Sequence, residues 1–255
     1  MTVRHFHTLG TLGIGVLFLA ALPVAAAPTY TQNVFSSDAQ FNVAYGGQGT
    51  DYESFGYEGR IGGTTTYEYN LNGRNANNAF QFGLVSGEYV WQNNVNVPFT
   101  LTYSGDTTRQ VTWTIASQPT LTITANAGNI NRFLVRTRAG GGNTTEVRFS
   151  SLTDTATNQV FTAPGTALAL SQGAGTVVDY LSVTGFDFTR AFSMQGTARM
   201  AWTGTKPTGS GNAFEIKGMQ ASIVPEPATM TFFGFALSVP LATVSRRRRR
   251  VRSVA

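Results

Sequence analysis

Val97-Pro98-Phe99-Thr100-Leu101-Thr102-Tyr103, followed beyond Ser104-Gly105-Asp106 by Val111-Thr112-Trp113-Thr114-Ile115, is the stretch that decides the fold class. Large apolar side chains alternate there with threonine. Successive side chains of a strand point to opposite faces, so a period of two describes strands with one face in a core and the other in water. Pro98 cannot donate to a ladder, which places it at a sheet edge or near a strand start. Outward from this pair, Leu121 and Ile123 continue the pattern. Further strand candidates are Phe41 to Tyr45, Tyr67 to Asn70, Phe80 to Leu84, Phe133 to Arg138, Val147 to Leu152, Val177 to Phe188, Met194 to Trp202 and Phe214 to Ile223. Roughly eleven strands suffice for two packed sheets. Turn formers separate them, at Asn126-Ala127-Gly128-Asn129, Gly140-Gly141-Gly142-Asn143 and Thr208-Gly209-Ser210-Gly211-Asn212. No amphipathic helix and no fixed-period repeat stands out. The expectation is all-β: a single jelly-roll-like β-sandwich over residues 27 to 223.

Both ends of the chain read as targeting segments. Arg4, His5 and His7 precede an apolar run from Leu12 to Leu22 and the small residues Val24-Ala25-Ala26-Ala27, the layout of a signal peptide over residues 1 to 26, cut after Ala26. At the other end, Val224-Pro225-Glu226-Pro227 is followed by an apolar stretch from Ala228 to Ser245 and then by Arg246, Arg247, Arg248, Arg249, Arg250 and Arg252. A helix over that stretch would be about 27 Å long, enough to span a hydrocarbon core. Prolines on both sides of Glu226 remove amide donors and favour extended backbone, the shape a protease binds. The arginines hold the tail in the cytoplasm and so place the main domain outside.

The order Pro225-Glu226-Pro227, short span and basic end resembles a PEP-CTERM sorting signal, covering residues 224 to 255. That resemblance implies recognition by an exosortase, a membrane-embedded cysteine protease, and an exported protein held transiently in the inner membrane. Its expected destination is then the cell surface or extracellular matrix, in an exopolysaccharide setting. A second resemblance lies in the middle of the chain. Tyr89-Val90-Trp91-Gln92-Asn93, Pro98-Phe99-Thr100-Leu101-Thr102-Tyr103 and Ala213-Phe214-Glu215-Ile216-Lys217 are similar to the choice-of-anchor domains of exported bacterial proteins, which implies a fold and no particular reaction.

Charge excludes one class of partner. The net charge is +5, with 18 Lys+Arg against 13 Asp+Glu, but six arginines sit in the tail and Arg4 in the leader. Between residues 27 and 223, eleven basic residues face twelve acidic ones, so the pI near 9.7 does not describe a nucleic-acid binder. The chain has no cysteine, and its two histidines lie in the leader, so the mature protein has neither residue type. A Ser-His-Asp triad, a Cys-His dyad and the usual zinc sites cannot be assembled from it.

Carboxylates remain. Asp51 and Glu53, with Glu58 nearby, have the spacing to share a strand face and are the candidates for a glycosidase-type pair. The same residues also suit a solvated loop or a weak calcium site. No cofactor is expected; calcium is the metal that fits oxygen donors best, with Asp154 and Asn158, or Asp51 and Glu53, as contributors. Tyr45, Tyr52, Phe55 and Tyr57 cluster among glycines and acids and form a candidate sugar-stacking platform, although such residues also fill cores. The leading expectation is a non-enzymatic surface or matrix protein. The alternatives are a carbohydrate-binding adhesin and a carboxylate-dependent glycan-active enzyme.

Overall fold

A computed structural model describes residues 25–45, 53–61, 68–74, 77, 79–125 and 130–220; the sorting motif, the apolar stretch after it and the arginine tail lie outside them. Two antiparallel sheets pack on a common core. In chain order the strands are β1 (Thr29–Thr31), β2 (Glu53–Ile61), β3 (Tyr69–Arg74), β4 (Phe80–Gly87), β5 (Val95–Ser104), β6 (Gln110–Ile115) and β7 (Leu121–Thr124). They continue with β8 (Arg132–Ala139), β9 (Thr144–Asp154), β10 (Gln159–Thr162), β11 (Leu168–Gln172), β12 (Val177–Thr184), β13 (Ala191–Ala201) and β14 (Asn212–Met219). The first sheet runs β1-β12-β8-β14-β2-β3-β4; the second runs β10-β9-β13-β5-β6-β7, with β11 on β9.

The alternation in β5 and β6 is what the sheets use. Val97, Phe99, Leu101, Tyr103, Val111, Trp113 and Ile115 are buried, while the intervening threonines are half-exposed. Trp113 sits fully buried between the sheets, stacked on Phe214 at 5.8 Å and beside Tyr57 at 5.0 Å between ring centroids. Pro98, expected at an edge or strand start, lies in an interior strand. The ladder to β6 begins only at Phe99, and Ala116 N–H donates to Pro98 O at 2.8 Å, so the missing amide faces a place where the neighbouring strand has already ended.

Two expectations are corrected. Residues 41–45 are not a strand: Asp38–Ala44 form a helix, α1. Ser37 caps it, its Oγ accepting from Gln40 N–H at 3.2 Å, while Gln40 Oε1 accepts from Ser36 N–H at 2.8 Å. This reciprocal pair satisfies amides that a short helix would otherwise leave bare. Phe41 and Tyr45 lie on one side of the helix, as residues four apart must, and pack with Phe35 against Tyr180, Leu134 and Met219 on the outer face of the first sheet. The second correction concerns β2, read as a loop or an open aromatic cluster. It is an interior strand with both faces covered and pairs with β14 and β3.

Candidate functional site

The outer face of the first sheet carries a row of polar and ionisable residues in register. Asn70 on β3 stands opposite Glu58 on β2, Glu58 opposite Glu215 on β14, Glu215 opposite Arg136 on β8, and Arg136 opposite Tyr180 on β12. Two acids directly opposite one another repel. The fold offsets this by surrounding them. Lys217 Nζ lies 2.9 Å from Glu215 Oε2 and 2.8 Å from Glu53 Oε2, and Arg136 Nη1 lies 3.8 Å from Glu215. Asn70 Nδ2 donates to Glu58 Oε2 at 3.1 Å. Asp38, from α1, receives Arg136 in a two-pronged contact at 2.7 and 2.6 Å and also accepts from Tyr180 OH at 2.8 Å. Charge thus runs without a break from Glu53 through Lys217, Glu215 and Arg136 to Asp38.

Burial governs the protonation of this row. Glu53 is fully buried, and loss of hydration pushes its carboxyl up to about 7 despite the attraction of Lys217. Burial and the facing Glu215 raise Glu58 as well. Burial also works to raise Glu215, but Lys217 and Arg136 outweigh it and hold that carboxyl below its ordinary value. Lys217 is held charged because Glu215 and Glu53 overcome its own desolvation. Asp38 is depressed, chiefly by its hydrogen bonds from Arg136. Gly56 is a spatial requirement of the arrangement: any Cβ there would collide with Glu53 Oε1.

The structure separates the residues nominated from sequence. Phe55 and Tyr57 face inward from β2 and are fully buried, Phe55 beside Tyr103 and Phe133 and Tyr57 donating its hydroxyl to Thr102 O at 3.2 Å. Tyr45 belongs to the separate cluster under α1 and accepts from Arg132 Nη1 at 3.1 Å. Tyr52 lies outside the described residues. No open stacking platform joins Tyr45, Phe55 and Tyr57, because opposite faces of one sheet receive them. Of the carboxylates, Asp51 lies outside the described residues, and Glu53 and Glu58 are engaged as above. Asp154 is buried, pairs with Arg190 at 2.8 Å and accepts from Ala156 N–H at 3.0 Å, while Asn158 occupies a left-handed turn position with φ 57°. Among the described residues no group of three acid, histidine or cysteine side chains is placed to hold a metal. Val224, Pro225, Glu226, Pro227 and the arginines from 246 to 252 lie outside them, and no helix among the described residues is long and apolar enough to cross a membrane.

A further surface was not nominated. On the outer face of the second sheet, Thr153, Ser193, Thr102, Thr112 and Thr122 form one row across five strands; Ser151, Gln195, Thr100 and Thr114 form the next. Thr102 and Thr112 hydroxyls lie 2.5 Å apart and those of Thr114 and Thr120 2.7 Å apart. A depression of about 80 Å³ lined by Pro98, Phe99, Thr100, Thr114 and Ala116 adjoins them. These two rows carry no ionised side chain. The sequence signal was the threonine half of the alternation in β5 and β6, whose in-register neighbours only strand pairing reveals.

No family model matches the chain, and no curated protein matches it.

Proposed function

We propose that this protein is an exported, non-enzymatic surface or extracellular-matrix protein, sorted through its C-terminal segment and cut by an exosortase near Val224 to Pro227. The observation that carries the reading is the unbroken order Pro-Glu-Pro, apolar stretch, arginine cluster from Pro225 to Arg252, placed shortly after the last strand ends at Met219. The topology suits such a tether. Register puts Thr29 of β1 opposite Thr184 and Met219 of β14 opposite Arg132, so the described chain enters and leaves at the same end of the first sheet. The turns at the other end, including Gly140 to Asn143, lie across the length of the sheet from Met219. The perturbed carboxylates Glu53 and Glu58 are committed to Lys217 and Asn70, which supports a structural use of these acids over catalysis. The jelly-roll-like topology and the spanning C-terminal helix are parts of the same proposal.

Expression of the full chain in a host with an exosortase and in one without it, followed by intact mass of the product, tests the reading. A new C-terminus near Pro225 only in the presence of the enzyme is the expected result. An arginine tail retained in both hosts overturns it.

A second reading, carbohydrate binding, is favoured by the neutral hydroxyl rows of the second sheet. Their β-branched side chains lose little freedom on binding, and each hydroxyl can donate and accept. Thr102→Val with Thr112→Val removes both partners of one hydroxyl pair at nearly constant shape, a change close to neutral for stability. Retention on an insoluble neutral polysaccharide is expected to fall several-fold in the double variant; unchanged retention removes this reading.

A further inference from the structure

We infer that Lys217 and Glu53 become joined by an isopeptide bond, the side-chain amine condensing with the side-chain carboxyl to tie the last described strand, β14, to the first long one, β2. A lysine is seldom buried unless paired, and here both members of the pair are shut off from water: Glu53 is fully buried and Lys217 is 5% exposed. Nζ lies 2.8 Å from Glu53 Oε2. Glu53 Oε1 has no hydrogen-bond partner and fills the space that a side chain at Gly56 would need, so one contact alone fixes the carboxyl group. The last torsion of a glutamate is broad, and a turn about it sets Cδ before the amine without breaking a second hydrogen bond.

A second carboxylate completes the arrangement. Glu215 Oε2 lies 2.9 Å from the same Nζ and is the group that can take a proton from it. Lys217 is charged in the resting pair, so the free amine forms only by that transfer and is scarce. Scarcity makes the reaction slow without preventing it, because the bond has to form once per molecule and well-oriented neighbours react as if at about 10⁵ M or more. Loss of hydration keeps part of the Glu53 carboxyl protonated near neutral pH, the form whose hydroxyl departs as water. Nζ attacks Cδ and gives up two protons in all, one to the departing hydroxyl and one to Glu215, which returns it to solvent. One C–N bond forms, one C–O bond breaks, and nothing is oxidised or reduced. The amide N–H still faces Glu215, and the product is free of the desolvation cost that a buried ion pair carries.

The place of the bond gives it a use. β2 and β14 are hydrogen-bonded neighbours, yet the two residues are 164 positions apart, and the chain has no cysteine and therefore no disulfide. A covalent link closing so long a loop constrains the unfolded chain as a disulfide would. Until it forms, Glu53 titrates as a buried acid; afterwards it has no proton to lose.

The test is the mass of the full chain in mild detergent, followed from folding onward near neutral pH. Loss of one water is expected, together with a branched fragment containing residues 53 and 217 after proteolysis of the denatured protein. Lys217→Arg keeps a cation between Glu53 and Glu215 but has no amine to condense, and should keep its full mass. Glu215→Gln removes the proton acceptor and should slow the loss several-fold. A wild type that keeps its full mass throughout, a water lost without the branched fragment, equal loss in Lys217→Arg, or an unchanged rate in Glu215→Gln would each overturn the inference.

Discussion

Glu53 shows what a single buried acid does to a sheet. Its carboxylate accepts from Lys217 through one oxygen, and the other has no hydrogen-bond partner. Such a group resists ionisation more in the folded chain than in the unfolded one. The folded value near 7 lies above the ordinary 4.5, so this residue's contribution is fully present below about pH 4.5 and is lost as pH rises towards 7. Asp38 and Glu215 act in the opposite sense, their contributions fading as pH falls below their ordinary range. Stability should therefore peak in mildly acidic solution. Glu53→Gln keeps an acceptor for Lys217 and removes the titration, so thermal melts of freshly folded chains, before the bond to Lys217 forms, should show the wild type losing on the order of 1–3 kcal/mol relative to the variant between about pH 5 and 7.5. Parallel pH profiles for the two proteins would show that burial does not control this carboxyl.

At the scale of elements, α1 is a seven-residue helix too short to persist in water by itself. It is held by the stacking of Phe41 on Tyr180, with centroids 5.1 Å apart, and by Asp38 on Arg136 and Tyr180. Asp38→Ala should cost about 1–2 kcal/mol, discounted because half of the Asp38 side chain meets water. Loss should be local. Hydrogen exchange of the Phe41 and Tyr45 amides, which donate to Ser37 O and Phe41 O, should accelerate, while amides of β8 and β14 keep their protection. Exchange unchanged at Phe41 would mean that the aromatic cluster alone holds the helix. The strand reading of 41–45 failed here for a physical reason. Phe41, Val43 and Tyr45 alternate as strand residues do, but Val43 is 83% exposed, and the residues that decide are Ser37, Asp38, Gln40 and the four-residue step from Phe41 to Tyr45. In β2 the period-two signal was present in Phe55, Tyr57, Gly59 and Ile61, hidden because Ser54, Gly56, Glu58 and Arg60, residue types usual in loops, occupy the alternate positions, and all but Arg60 are themselves buried.

For the whole molecule, the two sheets are joined through rings. Trp113 from the second sheet contacts Tyr57 and Phe214 from the first and Phe99 from its own. Trp113→Ala should lose about 3–5 kcal/mol through the cavity left behind. Trp113→Phe should lose far less, because the indole Nε1 is buried without a hydrogen-bond partner and the smaller ring removes that unsatisfied donor. Denaturant midpoints of the two variants test both statements; equal losses would mean that the indole N–H is satisfied in solution.

The sequence by itself determined the all-β class and which halves of β5 and β6 enter the core, because alternation is a local property and each of these two strands has a face that must leave water. It also carried the motif and tail on which the sorting proposal rests, since those are linear signals. Tertiary structure alone decided the row from Asn70 to Tyr180, the hydroxyl rows of the second sheet and the meeting of Lys217 with Glu53. These depend on which strands become neighbours and in what register, and no local rule states that Glu215 will stand between Glu58 and Arg136. The aromatic residues of β2 were legible as aromatic, but their burial was not, because the side chains that cover them, Tyr103 and Trp113, come from strands of the other sheet well along the chain.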